Sequence, residues 1–108
     1  MPGKILQINL QFSFSVAELE EEFETAAGHI KEVPGLKWKI FGMNEERSEG
    51  TGIYLFEDGD SLKSYLEGPI VAGLRANKAF SDISMKHFDV VDKATALTRG
   101  PVKATMTS

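Results

Sequence analysis

From Leu6 to Phe14 every second residue is apolar, and at Ser15 this period of two gives way to a period of three to four. The alternation places Leu6, Ile8, Leu10, Phe12 and Phe14 on one face of a strand, with Gln7, Asn9, Gln11 and Ser13 on the other. Ser15 stands three residues before Glu18, the spacing at which each side chain bonds the other's free backbone N–H, so a helix starts there. Val16, Leu19, Phe23, Ala26, Ala27, Ile30 and Val33 then form one apolar stripe. Glu20, Glu21, Glu22, Glu24 and Lys31 fall outside it, as a solvated face, and Pro34-Gly35 ends the helix.

Two further strands are read at Leu36 to Met43, with Trp38 and Ile40 in phase, and at Thr51 to Glu57. The polar run from Asn44 to Gly50 between them suits a hairpin loop, so the pair is expected to be antiparallel. After Asp58-Gly59-Asp60-Ser61, where Asp60 or Ser61 can cap, Leu62, Tyr65 and Leu66 mark a second helix. Gly68-Pro69 breaks it, and Pro69 suits the first turn of a further piece carrying Ile70, Val71 and Leu74. Ile83 to Asp92 alternates as a fourth strand, with Met85 and His87 facing opposite to Phe88 and Val90. The order β-α-β-β-α-β predicts an α+β fold of ferredoxin-like topology, a four-stranded antiparallel sheet with helices on one face. Residues 1–93 form this domain and residues 94–108 a C-terminal tail, in which Gly100-Pro101 argues against any long regular element.

The strands carry apolar residues in both phases, Trp38 and Ile40 against Phe41 and Met43, or Tyr54 and Phe56 against Ile53 and Leu55. Helices cover only one face of such a sheet. Leaving several of these side chains wet, at about 1.5–3 kcal/mol each, would forfeit the stability of a small domain. A homodimer packed sheet against sheet is therefore expected.

Composition removes several classes of function. With 108 residues there is room for one core. The net charge of −4 and the absence of any Lys/Arg run argue against nucleic acid as a partner. No cysteine is present, which excludes disulfides, thiolate nucleophiles and Cys-ligated metal centres. The run from Met1 to Leu10 is interrupted by Gln7 and Asn9, unlike a signal peptide, and nothing approaches the roughly 18 apolar residues of a membrane span. An unexported, cytoplasmic protein without a membrane partner is expected. The glycines around Gly50-Thr51-Gly52 open a strand and lack the following helix of a phosphate loop, which disfavours nucleotide cofactors.

Pro34-Gly35-Leu36-Lys37-Trp38-Lys39, Thr51-Gly52-Ile53-Tyr54-Leu55-Phe56, Tyr65-Leu66-Glu67 and Phe88-Asp89-Val90 resemble the corresponding stretches of the YdhR-like family of mono-oxygenases, in the same order and at similar spacing. The resemblance runs from about Leu6 to Val91. It implies a dimeric α+β barrel in which each subunit holds a pocket between helices and sheet. It also implies monooxygenation without a cofactor, on a small aromatic or quinol-like substrate with dioxygen. The stretch Gly68 to Phe80 departs from the family's nearer members, and the tail after Lys93 carries no resemblance. Haem-degrading relatives on this fold pair a first-strand asparagine with a histidine on the second helix. Asn9 stands on the first strand here, but no histidine lies between Asp58 and Phe80, so no haem and no other cofactor is expected.

An oxygenase of that kind needs a dry pocket, a proton acceptor and donors that favour the substrate's deprotonated form. His87 is the candidate acceptor and Asn9 the candidate oxyanion donor. Trp38, Tyr54, Phe56, Tyr65, Gln7 and Gln11 are the candidate substrate-binding residues. Each aromatic has core packing as its competing role, and the Gln7-Asn9-Gln11 row competes as a polar face hydrogen-bonded across a dimer. His29 and His87, two isolated imidazoles, read as structural rather than as metal ligands. Two other functions fit the same pocket. One is a non-oxidative isomerase, cyclase or lyase using His87 or a tyrosine, and the other a non-catalytic small-molecule binding protein.

Overall fold

The Ser15–Glu18 pair forms as its spacing requires. The Ser15 N–H donates to Glu18 Oε1 at 2.9 Å, and the Glu18 N–H donates to Ser15 Oγ at 3.2 Å. In the computed structural model, which describes residues 3–102, this box separates strand β1 (Lys4–Phe12) from helix α1 (Val16–Ile30). There follow β2 (Leu36–Asn44), β3 (Glu49–Phe56), α2 (Gly59–Leu66), α3 (Pro69–Ala76), β4 (Phe80–Asp89) and α4 (Asp92–Leu97). The strands form one antiparallel sheet in the order β2-β3-β1-β4, the expected ferredoxin-like arrangement. None of the helices among the described residues is long and apolar enough to cross a membrane.

The boundaries differ from expectation where local chemistry wins. Because α2 begins at Gly59, its cap is Asp58, which accepts from the Ser61 N–H at 2.8 Å, rather than Asp60 or Ser61. β1 stops at Phe12, and Phe14 leaves the ladder to meet Phe80 edge to face at 5.5 Å. The turn before β2 depends on Gly35, whose φ of +82° suits glycine and whose added Cβ would fall 2.0 Å from Ser61 Oγ.

One sheet face carries the main core. Leu6 and Ile8 of β1 and Tyr54 and Phe56 of β3 pack against Ile30 of α1, Leu62 and Tyr65 of α2, and Val71 of α3. Leu10, Phe12 and Leu19 form a second cluster at the other end of that layer. The opposite face was expected to need a second copy for its cover, yet the chain covers one end of it itself. Val102, 2% exposed, packs with Leu55 and Val90, and the Trp38 indole N–H donates to the Pro101 carbonyl at 2.8 Å. On the same face Ile40 and Phe88 remain about half exposed. A short helix, Asp92–Leu97, runs across the expected boundary at residue 93 into the expected tail, and residues 103–108 lie outside the described part.

Candidate active site

Period-two geometry decides which side chains of β2 and β3 face the helices. The register pairs Lys39 with Tyr54 and Phe41 with Gly52, so Lys39, Phe41 and Tyr54 share the helix-facing row with Gly50 and Gly52. The two glycines lower the floor of that row. A Cβ at Gly52 would lie 2.7 Å from Lys39 Cε and 3.1 Å from Tyr54 Cε1, so the Lys39 side chain occupies room that only glycine leaves. Above this floor the helices stand off the sheet, and a cavity of about 350 Å³ opens between the layers. Phe23 and His29 of α1, Tyr65 of α2, and Ile70 and Leu74 of α3 complete much of its wall.

The wall is apolar apart from a few groups. Lys39 Nζ lies 3.8 Å from the centre of the Phe41 ring and 4.4 Å from that of Tyr54, so two aromatic faces take the place of a carboxylate. The ion pairs among the described residues are Lys4–Asp89 and Lys37–Glu57, and neither involves Lys39. Burial disfavours the ammonium and lowers the Lys39 pKa from 10.5 to about 7. Tyr54 and Tyr65 join hydroxyl to hydroxyl at 2.9 Å, and burial raises both above the ordinary phenol value. Near neutral pH the cavity therefore offers two protonated hydroxyls and an amine divided between its two forms. Among the described residues no group of three His, Asp or Glu side chains could hold a metal ion.

Of the residues singled out in the sequence, Tyr54 and Tyr65 are in this wall. Phe56 lies beneath it, fully buried and stacked on Tyr54 with ring centres 5.9 Å apart. Gln7, Asn9, Gln11 and Trp38 point from the opposite sheet face. There Asn9 Oδ1 accepts from Thr51 Oγ1 at 2.6 Å and from Gln7 Nε2 at 3.5 Å. His87, paired with Leu6, shares the helix-facing phase but sits exposed on edge strand β4, outside the cavity wall. The structure thus brings Lys39 and His29 to the tyrosines, and it keeps Asn9 and His87 apart from them. Lys39 was not singled out in the sequence. The usable signal was a lysine two residues before Phe41 in a strand apolar in both phases.

Comparison with known proteins bears on what such a cavity does. The family model described as "Putative mono-oxygenase ydhR" matches residues 5–101. No curated protein matches the chain significantly. Among solved structures, SnoaB, a cofactor-independent oxygenase from Streptomyces nogalater, is 17% identical with a TM-score of 0.69, the match covering 83% of this chain and 94% of that one. NE2512 from Nitrosomonas europaea, a protein of unknown function, is 19% identical with a TM-score of 0.71, covering 84% and 91%. The haem-degrader MhuD from Mycobacterium tuberculosis, with two haems bound, is 22% identical with a TM-score of 0.63, covering 81% and 95%. At these identities the neighbours establish the fold.

Proposed function

We propose that this chain, which belongs to the ydhR mono-oxygenase family, oxidises a small aromatic, quinol-like molecule with dioxygen and without a cofactor. The observation that carries the reading is the apolar cavity of about 350 Å³ holding one amine with no ion-pair partner among the described residues. A phenol whose hydroxyl meets Lys39 gives its proton to the neutral amine, and the ammonium so formed holds the phenolate. The ring, now electron-rich, passes an electron to dioxygen, the two radicals join in a C–O bond at an unsubstituted carbon para to the phenolate, and the Lys39 ammonium returns its proton to the peroxide. Loss of water from the resulting hydroperoxide leaves a quinone. One phenol and one dioxygen give one quinone and one water, so all four electrons come from the substrate. The Tyr54–Tyr65 pair donates to developing oxyanions, and the apolar wall excludes water.

The test is to find ligands among small phenols and hydroquinones by thermal shift, then follow oxygen uptake with the tightest. Uptake matching quinone formation one to one, with one atom of labelled dioxygen in the quinone, supports oxygenation, and release of hydrogen peroxide without that label overturns it. Isomerised product without oxygen loss supports proton-transfer chemistry in the same cavity, and tight binding without any turnover supports a binding protein. Either of the last two results overturns the oxygenase reading.

The same proposal includes a homodimer. Ile40 on edge strand β2 and Phe88 on edge strand β4, 54% and 50% exposed, leave apolar side chains at both edges of the face that Val102 partly covers. A second copy packed on that face buries them. Sedimentation equilibrium is expected to give twice the chain mass of 11.9 kDa, and Ile40→Glu to halve it. A wild-type monomer at tens of micromolar would contradict the dimer.

A further inference from the structure

We propose that Lys39 forms a reversible imine with small aromatic aldehydes, a covalent chemistry separate from oxygenation and requiring no oxygen. The placement carries the argument. Lys39 lines the cavity, its Nζ lies over the Phe41 and Tyr54 rings, and neither ion pair among the described residues engages it. Gly52 shapes the floor to this side chain, since a Cβ there would approach Nζ to 3.3 Å as well as crowding Cε. A surface lysine has none of this surrounding structure.

The other titratable groups in the cavity wall are Glu22 and His29 of α1, Tyr54 of β3 and Tyr65 of α2. Desolvation is the cause of the lowered pKa of Lys39, so an appreciable fraction of the amine is neutral at pH 7. An ordinary lysine, with a pKa of about 10.4, is then neutral in only roughly one molecule in 2,500. Nucleophilic attack needs the neutral form. The Nζ lone pair bonds to the carbonyl carbon, and a proton passes from nitrogen to oxygen to give a carbinolamine. The C–O bond then breaks, the oxygen leaves as water with a second proton from nitrogen, and the C=N bond forms. Nothing is oxidised or reduced. The protonated Tyr54–Tyr65 hydroxyl pair stands in the same wall as a donor to the departing oxygen.

The experiment treats the full chain at pH 7 with benzaldehyde or 4-hydroxybenzaldehyde and sodium cyanoborohydride, which reduces an imine to a stable amine. Peptide mapping by mass spectrometry then compares Lys39 with Lys37 and the other lysines. Labelling of Lys39 at least tenfold faster than any other lysine at pH 7, with that preference shrinking at pH 9, where an ordinary lysine is itself partly neutral, is the expected result. Labelling of Lys39 no faster than Lys37 overturns the proposal. The readout needs no variant to fold and no oxygen to be consumed. Failure to label Lys39 therefore leaves the oxygenase reading standing, and failure of oxygen uptake leaves the imine standing.

Discussion

Lys39→Met should abolish phenol-dependent oxygen uptake, with a loss of about 10²–10⁴-fold, while leaving the far-ultraviolet circular dichroism spectrum unchanged. A loss of that size is what removing a positioned proton acceptor usually causes. Methionine keeps much of the length and apolar volume of the side chain and removes only the amine, so a packing defect is a poor explanation of the loss. In the wild type, activity should rise with pH through about 7 as the amine becomes neutral.

The same substitution should change how stability depends on pH. The folded-state pKa of Lys39 lies below its unfolded value, so between about 7 and 10.5 the unfolded chain holds more of this proton. Stability from this group is full above the unfolded pKa and is lost as pH falls towards 7. One proton gives a slope of at most about 1.4 kcal/mol per pH unit, and the partial exposure of the side chain reduces it. Tyr54 and Tyr65 act in the opposite sense. Their folded pKa values are raised, so the stability they contribute is present below the ordinary phenol value and is lost above it. Urea denaturation across pH 6 to 11 should show wild-type stability rising and then falling. Lys39→Met should lack the rise and keep the fall.

A second large effect is expected at Phe56, which is completely buried and packs on both Tyr54 and Tyr65, with ring centres 5.9 and 5.4 Å away. Phe56→Ala should cost about 3–5 kcal/mol in urea denaturation, a large share of the roughly 5–15 kcal/mol that holds a domain of this kind together. Ligand binding should weaken with it, because the removed ring supports the two hydroxyls in the cavity wall. Leu97→Ala, at a position 81% exposed, should change stability by less than about 0.5 kcal/mol. Equal costs at the two sites would show that the core has been misplaced.

The topology was legible because each element carries its own period and punctuation. Ser15 with Glu18 marks a helix start, Gly68-Pro69 divides the second helix, and Met85 with His87 holds the phase of the fourth strand. The short helix Asp92–Leu97 was missed because its cap position, Val91, has no side chain able to bond the free N–H groups. Site residues were harder to read, since a strand's period shows which residues share a face but not which face looks at the helices. Tyr54 and Asn9 lie on adjacent strands, yet one walls the cavity and the other bonds Thr51 across the sheet's far side. Lys39 depended on two features of pairing. The register between β2 and β3 shifts between Leu36 and Trp38, which brings Lys39 into the helix-facing row, and Gly52 is the partner of Phe41 beside it. Neither follows from the order of residues along one strand.

The state of the Lys39 amine is the most direct test of the account. With the chain labelled with carbon-13 at the lysine Cε positions, nuclear magnetic resonance can follow each Cε shift against pH, and Lys39→Arg assigns the signal. A midpoint near 7 for Lys39 is the predicted result. A Lys39 midpoint above 10 would mean a hydrated, charged side chain and would contradict the dry, amine-bearing cavity on which the oxidation chemistry and the imine both rely.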